Sequence, residues 1–275
     1  MGLSTYDKFE QMRERNDKQG LIKGLRSKDM ETSFYAAYWL REGGMEPDSD
    51  VDKARFLLAL GEARLVDKLV ELGNAAIEPL IACLTNKKAS HKSRCAAAEA
   101  LGEVGISKGV APLITEMEQA EKVWRNKKLP EKDRDQAHRF WQIAGDALSN
   151  ISDPDAVKLL VKAVKGKNDE IRKRAGEALT KIGGDAVEPL IRILRSGRTF
   201  AKTTSAYTLG SIKDKRAVES LIKALDDRDW GVRIAAITAL RRIGDKKAVA
   251  PLTSLVNDRN AEVRKSAQAA LKELR

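Results

Sequence analysis

Leu148, Leu179, Leu209, Leu240 and Leu271 recur at intervals of 30 or 31 residues, each inside a similar phrase. The text reads Ala-Leu-Thr-Lys-Ile-Gly-Gly-Asp-Ala-Val-Glu-Pro-Leu-Ile over 178–191 and Ala-Leu-Arg-Arg-Ile-Gly-Asp-Lys-Lys-Ala-Val-Ala-Pro-Leu over 239–252. A fixed period of this length, with two helical patterns around a Gly/Asp turn, is the mark of stacked helix pairs. One copy cannot bury its own apolar faces, so its neighbours must. The expected fold is all-α, an α-α superhelix of about seven antiparallel helix pairs closed by a half-repeat at the C-terminal end.

Within one copy the spacing predicts a first helix capped by Asn168, with Ile171, Ala175, Leu179 and Ile182 facing inward. Gly183-Gly184 ends it, and Asp185 caps a second helix carrying Val187, Leu190, Ile191 and Leu194. Pro189 then falls in a first turn, where its missing amide is harmless. Shifting by the period puts Asp229 and Asn260 at the place of Asn168, and Asp214 and Asp245 at that of Asp185. Pro79, Pro112 and Pro251 match Pro189, and earlier copies centre on Leu69 and Leu101. Ser33 to Leu40 reads as a first helix and Leu21 to Leu25 as a second. Val51–Leu60 reads as a second helix broken from the next at Gly61, or as part of one long kinked helix.

Two interruptions set the expected domains. Gly43 to Asp50 is an acidic, turn-rich joint, so residues 1–50 read as N-terminal capping helices and 51–275 as the repeat array. Leu101 and Leu148 stand 47 residues apart, and the surplus falls at about 119–140. Helical composition on both sides of Pro130 predicts a helical insertion, two lengthened helices with a protruding tip.

No apolar run approaches the length of a membrane span. The opening Met-Gly-Leu-Ser-Thr-Tyr lacks the apolar stretch of a secretory signal. Cys83 and Cys95, the only cysteines, lie in apolar or alanine-rich helix text and read as small buried side chains in a reducing compartment. The expected location is cytoplasmic, with no membrane contact and no cofactor.

The phrase from Val232-Arg233 through Leu252 resembles the HEAT-like repeats, and more narrowly the short variety named after the phycobilisome (PBS) bilin lyases. The resemblance covers roughly residues 20–275. It implies a HEAT/armadillo-like solenoid with first helices on the convex side and second helices on the concave side. For activity it is unspecific, because most such proteins resemble adaptors and scaffolds. The di-iron hydroxylases of this repeat type carry several His-Glu pairs. Here the two histidines are His91, followed by Lys92, and His138, followed by Arg139. No motif of the bilin lyases or of HEAT-like DNA glycosylases maps onto numbered positions.

The chain carries a net charge of +11, and residues 156–225 hold sixteen Lys/Arg against seven Asp/Glu. In register, Lys162, Arg192 and Lys223 share one position of successive second helices, and Lys165 and Arg195 the position three residues later. On the concave side these five would form a basic stripe. A docking groove for an acidic protein surface, a phosphate-binding groove and a merely solvated helix face all fit this pattern. Glu188 and Glu219 in the neighbouring column count against nucleic acid. Arg94, Arg172, Arg233 and Arg264 repeat near aspartates and read as hydrogen bonds between repeats.

Aromatic residues are few and clustered: Phe34, Tyr35, Tyr38 and Trp39 form a terminal cap, and Trp124, Phe140 and Trp141 flank the insertion. Trp124 and Trp230 are candidate partner contacts, since interface hot spots favour Trp. No phosphate loop, metal-spaced cluster or nucleophile triad stands out. The expected role is a non-enzymatic protein-interaction scaffold for a partner with an acidic surface. The alternatives are a bilin or prosthetic-group lyase and a nucleic-acid-associated factor.

Overall fold

The structure, a computed structural model, describes residues 4–60 and 65–274; Gly61 and the Met-Gly start lie outside them. Among these residues there are seventeen α-helices and six short 3-10 turns, with no strand. The helices follow one another as eight pairs and a final single helix. The chain divides into two compact units, residues 1–147 and 148–275, with the boundary inside α9.

The first unit contains α1 (Thr5–Glu14), α2 (Lys18–Leu25), α3 (Met30–Glu42), α4 (Asp50–Leu60), α5 (Leu65–Glu71), α6 (Ile77–Thr85), α7 (His91–Val104), α8 (Val110–Trp124) and most of α9 (Glu131–Asn150). Second helices form one row, α2 on α4, α4 on α6 and α6 on α8, while α1 packs on α3 and α5 on α7. The N-terminal core gathers Phe9, Leu21, Ile22, Leu25, Trp39 and Leu40, with Tyr35 and Tyr38 at its margin. Tyr6 closes it, its ring 5.4 Å from Tyr35 and 5.2 Å from Trp39.

Two buried carboxylates tie this unit together. Asp52 accepts from Arg26 Nη2 at 2.6 Å, from Arg55 Nη1 at 2.9 Å and from Ser49 Oγ at 2.7 Å. The Arg26 guanidinium, chiefly, holds its carboxyl down to about 2 against burial. α4 is thus fastened to the end of α2, and Lys18 Nζ, donating to Asp48 at 2.6 Å, ties the acidic joint to the same helix. Glu116 accepts from Lys87 Nζ at 2.5 Å and Arg94 Nη2 at 2.6 Å.

The second unit contains the end of α9, then α10 (Val157–Val164), α11 (Asp169–Ile182), α12 (Gly184–Ser196), α13 (Thr199–Ile212), α14 (Val218–Ala224), α15 (Trp230–Ile243), α16 (Val249–Ser254) and α17 (Ala261–Leu274). First helices stack as α11, α13, α15, α17, and second helices as α10, α12, α14. Leu148, Leu179, Leu209, Leu240 and Leu271 are all buried in first helices. Small residues let those helices close up. A Cβ on Gly210 of α13 would come within 2.5 Å of the Ala239 Cα on α15.

The caps explain where these helices start and stop. Asn168, Asp229 and Asn260 accept from the amides of Ile171, Val232 and Val263 respectively. Left-handed backbone ends α15 at Gly244, and ends α13 at Lys213, a side-chain-bearing residue with φ 61°. Asp214 and Asp245 cap 3-10 turns that lead into α14 and α16.

Asp185 departs from this pattern. The turn after α11 is one residue shorter, α12 begins at Gly184, and Asp185 is already helical. Pro189 therefore lies inside α12 rather than in its first turn. Pro79, Pro112 and Pro251 do occupy first turns.

Candidate functional site

In the second unit, the residues one, five and eight positions after Val157, Val187 and Val218 are exposed in every case. These offsets differ by four and three, so they share one outward helix face. On α10 and its C-cap they are Lys158, Lys162 and Lys165; on α12 they are Glu188, Arg192 and Arg195. After Val218 they are Glu219, Lys223 and Asp226. The counterparts around α16, Ala250, Ser254 and Asn257, are uncharged. The row of second helices thus brings Lys162, Lys165, Arg192, Arg195 and Lys223 onto one face, densest in cations at α10.

None of these cations forms an ion pair among the described residues. Among the described residues the one hydrogen bond from their charged ends runs from Arg195 Nη2 to Ser220 Oγ, 3.0 Å away on α14. Other cations of the same stretch are matched: Arg174 pairs with Glu170 at 2.7 Å and Lys202 with Asp227 at 2.8 Å.

Helix polarity accounts for part of the pattern. Lys162, Lys165, Arg195 and Lys223 lie in or just past the last turns of their helices, where cations meet the negative dipole end. Lys158 is different. It is the second residue of α10, where the dipole favours an acid; Glu219 is the acid at that place on α14, and Glu188 holds the same register on α12, past its first turn. Column matching passes over Lys158 because its neighbours in register carry the opposite charge.

The repeated arginines turn inward. Arg172, Arg233 and Arg264 each donate Nη1 to a carbonyl six residues back, at Gly166 (3.0 Å), Asp227 (2.8 Å) and Asp258 (2.7 Å). Arg233 also reaches the next repeat, Nη2 to Asp258 Oδ1 at 2.8 Å. Lys202 makes the same step to Asp227. Ser196 stands where those aspartates do, and Arg172 instead pairs with Asp169 in its own helix and stacks over the Phe200 ring at 4.3 Å. These groups hold repeats together.

Trp230 opens α15 and is 52% exposed, on a first helix rather than on the row of second helices. Trp124 belongs to the first unit, half-buried at the end of α8. Its ring lies 5.0 Å from His138 and 5.9 Å from Trp141 across the α8–α9 hairpin. Phe140 is buried under the Arg94 guanidinium at 4.5 Å.

The sequence pattern of the HEAT repeats matches residues 127–201 and 201–272, together a little over half of the chain. The chain belongs to the HEAT-repeat family. No curated protein matches the sequence. Among solved structures, human deoxyhypusine hydroxylase in complex with glycerol is similar at 20% identity over 97% of this chain and 99% of that one, TM-score 0.41. A designed armadillo repeat protein in complex with the peptide (KR)4 is similar at 20% identity over 93% and 98%, TM-score 0.38. Kap121p bound to Pho4p is similar at 12% identity over 93% of this chain and 37% of that one, TM-score 0.48. None of these likenesses bears on activity or partner.

The residues of this HEAT-repeat chain do not fit a di-iron centre. His91 Nε2 lies 3.5 Å from Cys95 Sγ, and burial pushes its pKa down. His138 stacks on Trp141. No group of three or more His, Cys, Asp or Glu among the described residues is placed to hold a metal. Burial pushes the Cys83 thiol up to about 12 and the Cys95 thiol up to about 11, so neither is an activated nucleophile. No helix among the described residues is long and apolar enough to cross a membrane.

Proposed function

We propose that this HEAT-repeat protein is a non-enzymatic interaction scaffold, and that the second-helix face of its second unit docks an acidic segment of another protein. The observation that carries this reading is Lys158, an exposed cation without an ion pair at the dipole-disfavoured end of α10, beside Lys162, Lys165, Arg192, Arg195 and Lys223. A solvated face needs polarity there, but it does not need one sign of charge against the helix dipole. Trp230 is a second-rank contact on this unit, because an exposed indole at a helix start is a ready anchor, and Trp124 is a separate candidate on the first unit. The buried free thiols suit a reducing, cytoplasmic setting.

A fluorescein-labelled glutamate-rich peptide, titrated by anisotropy at two salt concentrations, tests the proposal. Binding should weaken with salt and fall at least tenfold, about 1.4 kcal/mol, in the combined Lys162→Glu, Arg192→Glu, Lys223→Glu variant. Equal binding by that variant would remove the docking face. A bilin-lyase role rests on the repeat phrase at 232–252 alone. Its check is whether a bilin becomes covalently attached to an acceptor protein in the presence of this chain.

A further inference from the structure

The cations of the second unit are fenced by acids. Glu188 and Glu219 are exposed on the same outward face as Arg192 and Lys223, and Asp226 follows at the far end of α14. The nearest cation to Glu219 is Lys247 at 3.9 Å, and both side chains are about 70% exposed, so water screens the pair and the carboxylate keeps its field. A polyanion broad enough to cover α12 and α14 meets these three carboxylates, and opposed like charges cost affinity. A single acidic chain laid across Lys162, Arg192 and Lys223 avoids them.

Packed helices stand about 8–10 Å apart, so the three cations span roughly 20 Å. An extended polypeptide covers that distance in about six residues. A nucleic-acid duplex carries phosphates on two strands, one per about 3.4 Å of helix axis on each, and spreads its charge over the fence.

We infer that the face is selective for a single acidic polypeptide segment crossing α10, α12 and α14, and that Glu188, Glu219 and Asp226 turn broad polyanions away. This rests on the docking reading above and adds the width and class of the ligand.

The test titrates the labelled glutamate-rich peptide and a short DNA duplex against wild type and the combined Glu188→Gln, Glu219→Gln, Asp226→Asn variant at physiological salt. Far-UV circular dichroism checks that the variant keeps its helix content. Duplex affinity should rise at least tenfold while peptide affinity changes less than about threefold. An equal rise for both ligands, or no rise for the duplex, overturns the selectivity while leaving the docking face intact. Failure of wild type to bind the peptide overturns the docking face itself, and the selectivity with it.

Discussion

Arg233 donates to Asp258 at 2.8 Å across 25 residues of sequence, and at 5% and 9% exposure these side chains are nearly sealed from water. The pair joins two consecutive repeats. Removing one partner strands a buried charge, so Asp258→Ala should cost about 3 kcal/mol in urea denaturation. Among the described residues Arg264 has no carboxylate partner and donates only to carbonyls, so Arg264→Ala should cost about 1 kcal/mol. A cost for Asp258→Ala no larger than that for Arg264→Ala would show that the pair does not brace the stack.

Gly210 is set by backbone approach rather than by conformation. An alanine there places Cβ 2.5 Å from the Ala239 Cα, so α13 and α15 must move apart. Gly210→Ala should destabilise by about 2 kcal/mol, although alanine is the better helix former by about 1 kcal/mol. Thermal unfolding followed at 222 nm checks the sign. A gain in stability would mean that the two helices are not in close contact.

Asp52 makes part of the stability pH-dependent. Its carboxyl is held at about 2, below its ordinary 3.8, mainly by Arg26. The charged form is therefore favoured by folding. Its contribution is complete above the ordinary value and disappears as pH falls through about 2. Asp52→Asn should lower the melting temperature by about 5 °C near neutrality, and the gap should close as pH drops from about 5 toward 2. A gap independent of pH would place the effect elsewhere.

The repeat text carried the fold because its signals are local and copied. Leu179, Leu209 and Leu240 are each followed by a turn after a fixed interval, and Asn168, Asp229 and Asn260 each accept from the amides ahead of them. The copy at Gly183-Gly184, which serves as the template for the others, has one residue fewer in its turn, so Asp185 and Pro189 lie inside α12 rather than at its cap and first turn. The 3-10 turns before α10, α14 and α16 have no apolar periodicity to announce them.

The basic columns of the proposed docking face were legible as like residues in register, whereas Lys158 was not, because its meaning comes from contrast with Glu188 and Glu219. The fastening of α4 to the end of α2 was not legible, because nothing local pairs Arg26 with an aspartate 26 residues away. From the sequence Trp124 is a candidate partner contact. The structure places it half-buried against His138 and Trp141.

Lysine footprinting tests the docking face most directly. The protein is acetylated briefly with and without saturating glutamate-rich peptide, and each lysine is quantified by mass spectrometry. Lys158, Lys162, Lys165 and Lys223 should lose reactivity with peptide bound, while exposed Lys173 on the first helix α11 should not. Protection of Lys173 with the second-helix lysines unchanged, or equal protection everywhere, would contradict a docking face on α10, α12 and α14.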